Sequence, residues 1–435
     1  MSFLRAGAIY VVANVASAAV PFMLLPFLTR LLTPAQYGEV VSFALLVTLC
    51  MTVAGLNAHA AIGVMWFRKS PEQVPSITAT ALAIAVASTL MVAVLLMMGV
   101  HFFPNMLPSI TPIWAAAAAL TAGSNVVLQC RLVLLQGKNL PVSNAILQIA
   151  ASVLNVTLSM LAVIVFNLGS AGRNGGIALA ALIMACTATT LFLRSRELEW
   201  SPTREQVTTL MNFGLPLVLH SFAGVLISTA DRWTIGLKLG SYELGVYGAG
   251  AQLGMVMSIL ADAFVKAYGP WLYARLKADT KTDKLRATGA IYVATPALAC
   301  VASGVGVVLY LVSGILLGAK YHAAAMVLPW FMLGGALNGV YMCTSVLFFF
   351  SGRTAVLASI SMTAAVCGTV GTWIFVEKIG INGAAIGYAF TQGLLALFTT
   401  LVAINIFDLP WGHPRQAIKV WMRTIRQPSV PTVTT

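Results

Sequence analysis

Long apolar runs, each closed by proline, glycine or a charge, recur along this chain from end to end. They fall at about 7–32, 39–66, 76–100, 112–136, 141–166, 174–193, 208–236, 244–271, 288–316, 323–350, 354–376 and 383–407. Each is roughly 20 residues or more, long enough to cross a bilayer as a helix, and none alternates as a barrel strand would. The pattern predicts an all-α polytopic membrane protein with twelve transmembrane helices. The first run continues through Pro21 and Pro26, too long for a signal-peptide core, and is expected to remain as a helix. Pro216 and Pro296 also fall inside spans, so kinks are expected there.

Composition agrees with the pattern. The 435 residues are 59% hydrophobic and 9% charged, with mean hydropathy +0.90. A soluble domain carries about 25% charged residues, so this chain cannot coat itself against water. An even number of spans places both termini on one side. Basic residues choose that side. With the N-terminus cytoplasmic, eighteen of the 25 Lys and Arg fall in inner loops and six in outer ones, leaving Lys266 within the eighth span. The net charge of +13 then reflects topology and attraction to anionic lipid, because the basic residues are spread over short loops. That spread argues against a nucleic-acid partner. The six cysteines lie in apolar runs without paired spacing, so neither a metal site nor a disulfide framework is expected. No phosphate-cradling nucleotide motif occurs, and no cofactor is expected.

The two halves repeat. "LLTPAQYGEV" (31–40) matches "KLGSYELGVY" (238–247), with Gly38 on Gly245 at an offset of 207. Arg68 falls on Arg275 at the same offset. "LQGKNLPV" (135–142) matches "FSGRTAVL" (350–357) at 215, and "GRNGGIA" (172–178) matches "GINGAAI" (380–386) at 208. An offset near 207 spans six helices, so the halves insert in the same orientation, as in transporters built from parallel repeats. The expected domains are an N-terminal lobe 1–194, a cytoplasmic linker 195–207, a C-terminal lobe 208–407 and a basic cytoplasmic tail 408–435.

Several stretches resemble a known family. "PFLTRLLTPAQYGEV" (26–40), "NFGLPLVLHSFAGVLISTADRWTIGLKLGSYELGVYGAGAQL" (212–253) and "GINGAAIG" (380–387) resemble the Wzx-type O-antigen and polysaccharide flippases. These belong to the multidrug/oligosaccharidyl-lipid/polysaccharide superfamily, and the resemblance covers nearly the whole chain. It implies two six-helix lobes around a central V-shaped cavity lined by helices 1, 2, 7 and 8. It also implies a bacterial inner membrane location. The first helix lacks the acidic residue of the multidrug exporters, which argues against their cation-coupling site here.

Charges inside apolar runs are the candidate functional residues, since each costs about 2.5–3.5 kcal/mol to insert near the bilayer centre. Arg30 ends the first span. Asp231 and Arg232 lie near the outer end of the seventh, with His220 mid-span. Asp262 and Lys266 lie in the eighth, and His59 in the second. His59 and Lys266 are repeat-equivalent, as are Arg68 and Arg275 at the inner mouth. Read together, Arg30, His59, Arg68, Arg232, Lys266 and Arg275 form a basic track for an anion. Arginine would meet phosphate oxygens with a planar fork and lysine as a point charge. Asp231, Asp262 and His220 are candidates for ion coupling or pairing. Each position also fits a structural role: Arg30 can snorkel to headgroups, and Asp262 can pair with Lys266 at i,i+4. Lys138 and Arg353 read as anchors facing lipid.

The expected function is flipping of an undecaprenyl-pyrophosphate-linked oligosaccharide from the cytoplasmic to the outer leaflet by alternating access, for O-antigen, capsule or exopolysaccharide assembly. No bond changes, so no catalytic residue is required. The partners expected are that substrate, membrane lipid and, from the resemblance, the polysaccharide polymerase of the same pathway. The alternative is a cation-coupled multidrug or metabolite exporter of the same fold.

Overall fold

A computed structural model of the chain describes residues 3–68, 70, 72–104 and 110–426. Lys69, and the side chains of Arg5, His220 and Arg426, lie outside the described residues. Among the described residues the secondary structure is entirely helical. Eleven helices among the described residues are long and apolar enough to cross a membrane. One of them, Thr354–Ile406, contains two spans, because Ile379 and Gly380 leave helical geometry and Gly380 takes φ +61°. The count of twelve follows.

The helices are α1 (Phe3–Leu31), α2 (Pro34–Val53), α3 (Ala58–Arg68), α4 (Val74–Phe102), α5 (Pro112–Gly137), α6 (Pro141–Met160), α7 (Gly169–Arg194), α8 (Arg204–Lys238) and α9 (Ser241–Ala278). They continue with α10 (Lys281–Leu316), α11 (Leu328–Phe350), α12 (Thr354–Ile406) and α13 (Pro414–Arg426). Two compact units result, one of Met1–Ala249 with Ile315–His322, the other of Gly250–Gly314 with Ala323–Thr435.

In the first unit α5 is the central helix, packed against α4, α7, α2 and α3. Its alanines permit this: Ala115, Ala118, Ala119 and Ala122 are wholly buried, since small side chains let helix backbones approach. Thr33 starts α2 with a reciprocal capping box, its hydroxyl accepting from Gln36 N–H while the Gln36 amide oxygen accepts from Thr33 N–H. The first turns of α2 and α9 then cross. A Cβ on Gly38 would collide with the Ser241 carbonyl, and a Cβ on Gly245 with that of Pro34. Positions 34 and 241, like 38 and 245, are 207 apart, so the contact pairs repeat-equivalent residues in a locally two-fold way.

The second unit is held by α11 against α12, whose halves fold back at Gly380 and interlock. Gly383 meets the Phe375 backbone, and Gly387 meets Thr372. The tail read as a basic extension is partly a helix. In α13, Arg415, Lys419 and Arg423 follow one face, while Ala417 is fully buried on α10 at Gly289. The periodicity is that of an interfacial helix.

The apolar run at 39–66 is not one helix. It breaks at Ala54–Asn57, where Gly55, Leu56 and Asn57 have φ of +90°, +43° and +55°.

Candidate functional site

Arg30 closes α1, where the chain leaves its apolar run. Its guanidinium donates to the Pro26 carbonyl at 2.9 Å and to the Ile315 carbonyl at 2.5 Å. Ile315 lies in the last turn of α10, whose terminal carbonyls have no intrahelical partner. The neighbouring Thr29 accepts from Gly318 N–H at 3.0 Å, and Tyr321 donates to the Leu32 carbonyl at 3.3 Å. Arg30 therefore caps a helix end, a stable place for a cation beside a helix C-terminus. The side chain stays exposed.

Arg232 lies in the same unit on α8. It donates to the Ser228 carbonyl at 2.7 Å, and its neighbour Asp231 stands at 4.0 Å. Asp231 is buried and already engaged: it accepts from the Tyr247 hydroxyl at 2.5 Å and from Arg232 N–H at 2.8 Å. Sequence reasoning treated Arg173 only as a loop charge. The structure draws it inward on α7, donating to Asn155 at 2.6 Å and to Ser159, with its Nε buried and unpartnered. Tyr37 is buried on α2, and its ring meets Tyr321 edge-on at 5.9 Å. The other acid nearby in chain position, Glu39, accepts from Ser170. Cation exceeds anion here, and the acids are engaged by hydroxyls.

The remaining predicted residues divide. His59 sits in the first turn of α3, half-buried, with Nδ1 unpartnered. Arg68 ends the same helix and is exposed. In the second unit Lys266 pairs with Asp262 at 2.5 Å, both well exposed. Arg275 shares Asp283 with Arg286, at 3.5 and 3.1 Å, and stacks over Trp271. The side chain of His220 is outside the described residues.

One cluster overturns an expectation. Lys138 does not face lipid as an anchor: it binds Glu197, which also holds the buried Arg131, and it lies over the Trp66 ring. Burial, and then Arg131, push the Lys138 ammonium below its usual pKa. Glu197 thereby fastens the 195–203 segment to the end of α5. That segment is further tied by Glu199 N–H to the Pro75 carbonyl and by Ser76, Ser201 and Gln206. Nothing local marked this triad, because Glu197 is 66 residues from Arg131.

These features define a multi-pass, helical membrane protein with charged groups held at helix ends. The fold is shared with transporters. An inward-facing multidrug-resistance MATE family transporter of the MOP superfamily matches with a TM-score of 0.70 at 15% identity, over 95% of this chain and 96% of that one. The lipid II flippase MurJ in an inward closed conformation matches at 0.68 and 12% identity, over 96% and 90%. The sequence profile of the polysaccharide biosynthesis protein family matches residues 3–275, and the chain belongs to that family. A Haemophilus influenzae protein described as Lsg locus putative protein 1 is 24% identical over 87% of this chain and 91% of its own length. A second protein of that organism, described as an uncharacterized membrane protein, is 22% identical over 93% and 97%.

Proposed function

We propose that this protein flips an undecaprenyl-pyrophosphate-linked oligosaccharide across the bacterial inner membrane, with both termini cytoplasmic. The observation that carries the reading is the excess of arginine at one end of the first unit. There Arg173 and Arg232 are held by neutral oxygens of Asn155, Ser159 and the Ser228 carbonyl, while Asp231 is taken up by Tyr247. Guanidinium groups with unused donors suit a diphosphate. Family membership supports the pathway class, and the fold shared with MurJ, a lipid II flippase, supports a carrier role.

In this reading the lobes 1–194 and 208–407 rock about the linker 195–207, and the Gly38–Gly245 crossing parts as they do. Arg30, His59, Arg68, Arg232, Lys266 and Arg275 act in turn on the diphosphate. Asp231, Asp262 and His220 are candidates for coupling, and the polymerase of the pathway is a candidate partner. An inside-negative potential contributes about 2.3 kcal/mol per charge per 100 mV. Two negative charges moving outward therefore gain about 4–5 kcal/mol per 100 mV without nucleotide hydrolysis.

The test is complementation. Deleting the gene is expected to accumulate lipid-linked repeat units and remove surface polysaccharide. Wild type restores export, whereas Arg173→Ala and Arg232→Ala at matched membrane levels do not. If surface polysaccharide is unchanged and drug tolerance falls instead, the chain is an exporter of the same fold.

A further inference from the structure

The break between α2 and α3 is the most strained segment of the first unit. Left-handed backbone is strained for a residue with a Cβ, and Leu56 and Asn57 both adopt it after Gly55. Surrounding helices are shaped to receive the break. Gly55 N–H donates to Ser88 Oγ of α4 at 2.9 Å, and Gly55 itself abuts Val126 of α5. Any side chain at Gly214 of α8 would collide with the Leu56 carbonyl.

This arrangement leaves polar groups without hydrogen-bond partners inside a membrane span. Asn57 is 8% exposed and its Nδ2 has no partner. His59 Nδ1 is buried without a partner, although the residue is half-exposed. The backbone N–H groups of Asn57 and His59 find no carbonyl, because the turn's own bonds run from Leu56, Ala58, Ala60 and Ala61. These groups open α3, an eleven-residue helix whose positive dipole end therefore lies within the span. The residues packed on the break, Ser88, Val126 and Gly214, carry no acid. An unpaired buried donor is costly, so a donor-rich, acid-free helix start calls for an acceptor.

We propose that the break at Ala54–Asn57 is an oxyanion site, in which the start of α3, the Asn57 amide and His59 receive a phosphate group. Discontinuous helices whose N-terminal ends meet anionic groups are an established way to place such a site at membrane depth. The chemistry is shared by a lipid-borne diphosphate and by free phosphate. Choosing the lipid-borne source rests on the flippase reading.

The test is binding of farnesyl diphosphate, farnesol and inorganic pyrophosphate to the purified full-length protein in detergent. Farnesyl diphosphate is expected to bind the wild type at least tenfold more tightly than farnesol. Asn57→Asp, which places a carboxylate among the donors, is expected to weaken that binding tenfold or more, and His59→Leu several-fold. Both should melt within a few degrees of the wild type without ligand; if Asn57→Asp does not fold, His59→Leu decides. Competition by inorganic pyrophosphate shows that phosphate alone suffices, and lack of competition shows that the site takes a lipid-borne group. The site is overturned if the wild type does not prefer the diphosphate to farnesol, or if the folded variants retain wild-type affinity. Loss of binding in the variants, together with unchanged surface polysaccharide in the deletion strain, keeps the site and removes the flippase. Equal binding with successful complementation does the reverse.

Discussion

The α2–α3 arm and α9 occupy equivalent places in the repeat, yet one breaks and the other runs unbroken from Ser241 to Ala278. The first is "AGLNAHA" at 54–60, the second "ADAFVKA" at 261–267. Gly55 and Asn57 accept left-handed backbone, and Ser88, Val126 and Gly214 hold the resulting turn. In the second arm Asp262 takes the place of Gly55 and pairs with Lys266 one turn on, which supports continuous helix. Repeat-equivalent glycines explain the matched crossing; local residues explain the different interiors. The lesson is that equivalence in a repeat fixes where helices meet, whereas the chemistry along each helix is free to diverge.

The strongest way to break the comparison is at the point both arms share. Gly38→Val drives a side chain into the Ser241 carbonyl, and Gly245→Val into that of Pro34. Backbone cannot give way as a flexible side chain would, so each is expected to destabilise by about 3 kcal/mol or more. Expression, melting temperature and complementation should all fall together, and by similar amounts for the two glycines. A variant at either glycine that melts like wild type would remove the two-fold crossing from the account.

Much of this architecture was legible in the sequence because hydropathy runs are long and a bilayer demands about 20 apolar residues. The repeat was legible through Gly38 and Gly245, because only glycine permits that approach. The break at 54–57 was hidden inside the run 39–66, where Gly55, Leu56 and Asn57 barely lower the hydropathy. Arg30 was visible as a misplaced charge, but its acceptor Ile315 is 285 residues away. No local pattern carries a contact of that separation. Arg173 was sorted by loop charge alone, which says nothing of the helix face on which it lies. The basic tail concealed α13 because charge drew the reading and the apolar face went uncounted.

A second contrast concerns two other repeat-equivalent cations, Lys138 and Arg353. Lys138 shares the buried Glu197 with Arg131, while Arg353 lies over the Phe407 ring. Removing the acid from a buried ion cluster strands its cations, at a cost of about 3 kcal/mol. A surface cation over a ring contributes about 0.5–1 kcal/mol. Glu197→Ala is therefore expected to lower the melting temperature several times more than Arg353→Ala. It should also expose the 195–203 segment to proteolysis, which Arg353→Ala should not. Equal losses would show that the triad does not fasten the segment.

The smallest and most discriminating change places alanine at residues 55 and 262, which are equivalent in the repeat. In an ordinary helix Gly→Ala stabilises by about 1 kcal/mol. At Gly55 the φ of +90° and the Val126 side chain reverse that sign, and a loss of about 1–3 kcal/mol is expected. Asp262→Ala removes one partner of an exposed i,i+4 pair from a continuous helix, where alanine is itself the best helix former. Its melting temperature should stay close to wild type. Hydrogen exchange at Ala54–His59 should quicken in Gly55→Ala and stay unchanged in Asp262→Ala. If Gly55→Ala instead raises the melting temperature, the arm is a continuous helix like α9, and the contrast between the two arms disappears.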